Sequence, residues 1–243
     1  MHVIAKVGGA PIGQLAVLGA VMWGTVGALL VLERGRRGGR LEHRIPVQEW
    51  GRRTVLGLPA WSSIPVALSF TAMFINLFGL HWDIATHLDH GRDPGPLGNP
   101  AHPFMLGGLV GCFASGWLAL VMADDHPGPA SVRITRTWRV PIGGLIMAIF
   151  GANVLVMFPL DDVWHRIFGE DVTVWSPTHW AIMFGGPWTF FGQLVLLAEG
   201  RWWMRHHGPS PRPGRLRGLA SPRVQTALIC GMLLYMFLTY MSE

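Results

Sequence analysis

The stretch Asp161–His179, DDVWHRIFGEDVTVWSPTH, is polar and lies between two apolar runs. Almost the same arrangement occurs once before, at Asp83–His102, DIATHLDHGRDPGPLGNPAH. Asp83-x3-His87 matches Asp161-x3-His165, Gly91-Arg92-Asp93 matches Gly169-Glu170-Asp171, and Pro100-x-His102 matches Pro177-x-His179. Each copy then enters an apolar segment that opens with a Met and a Gly pair, Met105 with Gly107 and Gly108, and Met183 with Gly185 and Gly186. The copies differ by one residue, since 15 positions separate His87 from His102 and 14 separate His165 from His179. A duplicated sequence folds as two copies of one unit around a pseudo-symmetry axis. The expected units are residues 60–123 and 140–198, within a single domain spanning 1–243.

The apolar runs on either side of these stretches define the class. Half of the 243 residues are hydrophobic and only 14% are charged, and the hydrophobicity comes in long blocks. About 20 apolar residues cross a bilayer as a helix. Six such spans are expected: Pro11–Leu32, Ala60–Leu80, Pro103–Ala123, Val140–Leu160, Trp180–Ala198 and Val224–Tyr240. The predicted fold is therefore an all-α integral membrane protein of about six transmembrane helices with an internally duplicated helical hairpin. The first span carries Ala16, Ala20, Gly24 and Ala28 at four-residue spacing, a strip of small residues expected to face another helix. Cys112 and Cys230 both lie in apolar blocks, where a thiol behaves as a small hydrophobe.

The charges set an orientation. Of the 19 Lys and Arg residues, all but Lys6, Arg92 and Arg166 fall in three alternate loops, a division of 16 to 3. By the positive-inside rule those loops are cytoplasmic, so both termini and both repeated motifs face the extracytoplasmic side of the cell membrane. The net charge of +5 does not point to nucleic acid, because the arginines sit in short loops between apolar spans.

On this topology Asp83 with His87, and Asp161 with His165, sit at the outer ends of helices, each pair sharing one face through its i, i+4 spacing. His102 and His179 open the helices that follow, with Ser176 placed to cap the second of these. Each hairpin thus offers one carboxylate and two imidazoles, a set suited to copper, non-haem iron or zinc with positions left open. A histidine at a helix C-terminus is also explained by the helix dipole. The dipole does not, however, call for a second histidine 14 or 15 residues later in both copies. Asp93 and Asp171 are candidate acceptors for ligand imidazoles, though each also suits a solvated turn. Met105 and Met183 are candidate soft ligands that packing explains equally well. His81 and His90 have no counterpart in the second copy and are read as interfacial, with auxiliary metal binding as the alternative.

Asp161-x2-Trp164-His165, followed by Glu170-Asp171 and Ser176-Pro177-Thr178-His179, resembles the first metal motif of the C subunit of the copper membrane monooxygenases, the particulate methane and ammonia monooxygenase family. The resemblance covers roughly Asn76–Phe191. It implies that Asp161, His165 and His179, and through the repeat Asp83, His87 and His102, are copper ligands. It also implies a subunit that works with other membrane monooxygenase subunits, oxygen and a small substrate such as methane, a short alkane or ammonia. Unlike the family, both copies here keep an Asp, and the words resembling its first motif stand in the second copy. Two other functions use the same residues: non-enzymatic copper binding or transfer, and bis-histidine haem electron transfer, which leaves both carboxylates unexplained.

Overall fold

The computed structural model describes residues 12–37, 47–90, 98–168, 176–208 and 221–241. Its helices are α1 (Ile12–Arg37), α2 (Val47–Gly51), α3 (Ala60–His90), α4 (His102–Met122), α5 (Ile142–Phe168), α6 (Pro177–His207) and α7 (Pro222–Met241). Two small antiparallel hairpins, β1 (Thr54–Val55) with β2 (Leu58–Pro59) and β3 (Val132–Arg133) with β4 (Arg139–Val140), lead into α3 and α5. Among the described residues, four helices are long and apolar enough to cross a membrane: α3, α4, α5 and α6. The stretches expected as first and sixth spans coincide with the helices α1 and α7, which are not among those four.

The four long helices form the centre. α3 packs on α4, α4 on α5 and α5 on α6, and α6 returns to α3, so two consecutive hairpins close a bundle. Trp61, Met147, Phe190, Leu196 and Leu197 fill its middle, and α7 adds Ile229 and Met236. A second cluster, Met105, Leu109, Phe113, Val154, Leu155 and Phe158, lies along the α4–α5 seam and is covered by Met22, Val26 and Leu29 of α1. This corrects the expectation for α1. The strip Ala16, Ala20, Gly24 and Ala28 is exposed, and the helix docks through its larger side chains, which fill the seam where small ones would leave voids.

Helix ends depart from the apolar runs in an informative way. α3 continues from Leu80 to His90 and α5 from Leu160 to Phe168. Hydropathy marks where a helix is apolar, whereas the backbone hydrogen-bond ladder continues through any residue that tolerates helical geometry. Both Asp-x3-His pairs therefore sit on helical turns. At the opposite end of the bundle, Glu199 of α6 accepts hydrogen bonds from the amides of Ile142 (2.9 Å) and Gly143 (3.0 Å), satisfying donors that the first turn of α5 leaves open. Nearby, Asp124 accepts from Arg52 (2.7 Å) and from the Trp203 indole (3.2 Å), tying the connections after α2 and after α4 to helix α6.

Close approach within each hairpin depends on a glycine. A Cβ at Gly108 would lie 2.5 Å from Cβ of Asn76 and 2.6 Å from the carbonyl oxygen of Ala72, and one at Gly185 would collide with Cγ1 of Val154. Gly108 and Gly185 each stand six residues after the second histidine of their stretch, although one is the second and the other the first of its Gly pair, and each lets its helix approach the preceding one closely.

Candidate metal centre

Asp161 and His165 lie on the last turns of α5, and His179 lies on the first turn of α6. Ser176 caps α6: its backbone is extended and its Oγ accepts from the His179 amide at 3.2 Å. That cap fixes the residues that follow it. Thr178 donates its hydroxyl to Asp161 Oδ1 at 2.6 Å, and Asp161 Oδ2 then faces His165 Nε2 at 3.3 Å and His179 Nε2 at 3.0 Å. The two imidazoles stand with ring centroids 5.2 Å apart. One atom from each of the three side chains falls within 4.8 Å of the others. All three residues are half-buried, with His179 the most open at 29% side-chain exposure.

This donor set suits an ion. Ligand atoms about 2.0–2.2 Å from a metal lie roughly 3 to 3.4 Å from one another, and the two oxygen–nitrogen edges already have that length. In the absence of an ion the same contacts are imidazole N–H groups donating to one carboxylate oxygen, with protons occupying the place of the metal. Two imidazoles and a carboxylate hold copper, iron or zinc; the donor types alone do not choose among them.

The first copy is built differently. Asp83 Oδ1 lies 3.1 Å from His102 Nε2 and 3.5 Å from His87 Nδ1, so the three residues do come to one place. His87 Nδ1, however, is closer to the backbone carbonyl of Asp83, at 2.9 Å. Asn99, at the position of Ser176, donates Nδ2 to the same Asp83 Oδ1 at 2.6 Å and accepts the Ala101 amide on its own Oδ1 at 2.9 Å. Among the described residues, Asp161, His165 and His179 form the one group of three with ligand atoms mutually within 4.8 Å; the first triad does not reach that convergence. The two clusters are neighbours, since Phe158 of α5 meets the His102 ring edge-on at 5.6 Å.

Other sequence candidates fall elsewhere. Met105 is buried against Gly79, in packing. His81 is engaged at both ring nitrogens, Nδ1 at 2.7 Å from the Leu77 carbonyl and Nε2 at 2.8 Å from the Tyr235 hydroxyl, which ties α7 to α3. His90 is exposed at the end of α3, and Met183 is half-buried on α6. Asp93 and Asp171, with the Gly-x-Asp words around them, lie outside the described residues. Sequence reasoning passed over four residues. Thr178 and Asn99 complete the two carboxylates, and Asn76 and Asn153 donate across their hairpins to the carbonyls of Met105 (3.2 Å) and Ala181 (2.9 Å). An amide side chain inside each apolar span, seven or eight residues before the Asp, was the available signal.

No protein-family model, curated protein or solved structure matches the chain.

Proposed function

We propose that the chain is the copper-binding membrane subunit of an oxygen-dependent monooxygenase acting on a small substrate of the methane, short-alkane or ammonia type, with Asp161, His165 and His179 as its metal ligands. The carrying observation is the convergence of that triad at the joined ends of two membrane-length helices. The choice of copper rests on the sequence resemblance, since the ligand set accepts iron or zinc as well. The arginine-rich loops favour a multi-pass arrangement in the cell membrane with the triad on the extracytoplasmic face. Partner subunits, oxygen and the small substrate follow from the same resemblance.

Bound copper supplies the redox chemistry that activates oxygen. The protein's own residues hold and shape the centre. Asp161 presents one oxygen to the ion while Thr178 steadies the other, His165 and His179 contribute Nε2, and the capped start of α6 keeps His179 in place. The apolar helices below limit water at the inner side of the site.

A non-enzymatic copper-binding or transfer role uses the same ligands and is favoured by the openness of His179. Haem is disfavoured. Two axial imidazoles must stand on opposite faces of a porphyrin, whereas His165 and His179 share one carboxylate oxygen. The test is metal analysis and electron paramagnetic resonance on the wild type and on His165→Ala, both shown to be folded. Copper in the wild type and its loss in the variant are expected, because one of three protein ligands is gone. Equal copper content and identical spectra would remove the assignment. Iron or zinc in the wild type would keep the site and remove the copper monooxygenase. Oxygen-dependent turnover by the copper-loaded complex separates the enzyme from the transfer protein.

A further inference from the structure

We infer that the two repeats differ toward metal, and that the residues three and one places before the second histidine decide it: Ser176 and Thr178 admit an ion to Asp161, His165 and His179, whereas Asn99 and Ala101 keep one out of Asp83, His87 and His102. The inference rests on the second triad being a metal centre, and it makes the chain a one-ion protein in spite of its duplicated ligands.

The difference lies in which carboxylate oxygen each neighbour takes. In the second copy the Thr178 hydroxyl donates to Oδ1 of Asp161, and both imidazole Nε2 atoms face Oδ2. One oxygen is stabilised and the other remains for the ion. Ser176 is kept off the carboxylate because its Oγ accepts the His179 amide as the α6 cap and its hydroxyl donates to Thr178 Oγ1 at 3.3 Å, Thr178 having given its own hydrogen to Asp161. In the first copy Ala101 has no hydroxyl to give. Asn99 instead donates its amide to Oδ1 of Asp83, the oxygen that His102 and His87 also face. An amide N–H and a cation compete for the same lone pairs, and the amide proton occupies the space a cation needs.

Asn99 is not easily displaced. It is 2% exposed, and its other end accepts the Ala101 amide, so swinging it away breaks two hydrogen bonds in a buried setting. His87 adds a second obstacle, because its Nδ1 is drawn to the Asp83 carbonyl of its own helix. His165, by contrast, turns Nε2 toward its carboxylate. The first cluster is thereby a hydrogen-bonded tie between α3 and α4, and the second is the same tie with a place for metal.

The probe is cobalt(II), titrated into metal-stripped full-length protein in detergent. Bound ions are counted by elemental analysis, and visible absorption reports nitrogen and oxygen ligation. The wild type should bind about one ion per chain, lost in His179→Ala and kept in His102→Ala. Asn99→Ser combined with Ala101→Thr should raise the count to about two, and Ser176→Asn with Thr178→Ala should empty the chain. Two ions in the wild type overturn the inference, as does an ion kept by His179→Ala and lost by His102→Ala. So does a folded first double variant that stays at one ion, or a folded second double variant that keeps its metal. Ala101 is fully buried; if the first double variant does not fold, Asn99→Ser alone and the two histidine variants decide. A wild type that binds no ion removes the metal-centre reading itself, a result distinct from all of these.

Discussion

The two oxygens of Asp161 have separate partners: Oδ1 accepts the hydroxyl of Thr178, one residue before His179, and Oδ2 faces the two imidazoles. Thr178→Val keeps the shape of the side chain and removes the donor. Losing a partner that orients a ligand costs on the order of 10- to 100-fold in metal affinity, and that weakening, measured by titration against a competing chelator, is expected here. Unchanged affinity would mean that the carboxylate is oriented by the helices alone. The Asp-x3-His pairs were legible in the sequence, because i, i+4 spacing on a helix is fixed geometry. The tasks of Thr178 and Asn99 were not. They depend on rotamers and on which oxygen each side chain reaches, and no periodicity encodes that.

Each hairpin is a helix pair held at close range, and neighbouring glycines have opposite meanings within it. Nothing lies within 4 Å of a Cβ placed on Gly107, whereas one placed on Gly108 meets Asn76 and Ala72. Gly107→Ala should be neutral or stabilising by about 0.5–1 kcal/mol, through helix propensity. Gly108→Ala should destabilise by roughly 1–3 kcal/mol, because the helices must part. Thermal unfolding in detergent compares the two directly; equal effects would show that the hairpin tolerates wider spacing. A Met followed by a Gly pair marked both hairpins in the sequence, but not which glycine of each pair faces the partner helix, since that depends on the rotation of α4 and α6 in the bundle.

At the scale of the molecule, the arginine-rich end and the triad end make different predictions. Burial pushes the Asp124 carboxyl up, yet hydrogen bonds from Arg52, the Asp125 amide and Trp203, together with the Arg52 charge, hold it below the usual carboxylate range. A carboxyl whose folded pKa is depressed contributes stability above its unfolded pKa of about 4 and loses it as pH falls through the folded value. The difference in Tm between wild type and Asp124→Asn should therefore be constant near neutrality and shrink below about pH 4. Arg52 is half-exposed, so the effect is modest, on the order of 1 kcal/mol. A difference that persists at low pH would assign it to packing.

Orientation is tested on a background with Cys112 and Cys230 replaced. A membrane-impermeant thiol reagent added outside should reach cysteines at Gly95 and Thr173 but not at Gly38 or Gly208. Labelling of the latter pair would reverse the topology and put the triad in the cytosol.

The sequence by itself determined the apolar helices, the repeated Asp-x3-His and Pro-x-His words and the six side chains they bring forward as candidates, because hydropathy, repetition and i, i+4 spacing are properties of the linear chain. Only the tertiary structure decided that α1 docks through Met22, Val26 and Leu29, with its small-residue strip exposed. It also decided that the two copies are not alike: a shared ligand pattern fixes which groups are near one another, whereas a single amide or hydroxyl within reach fixes which lone pairs remain for an ion.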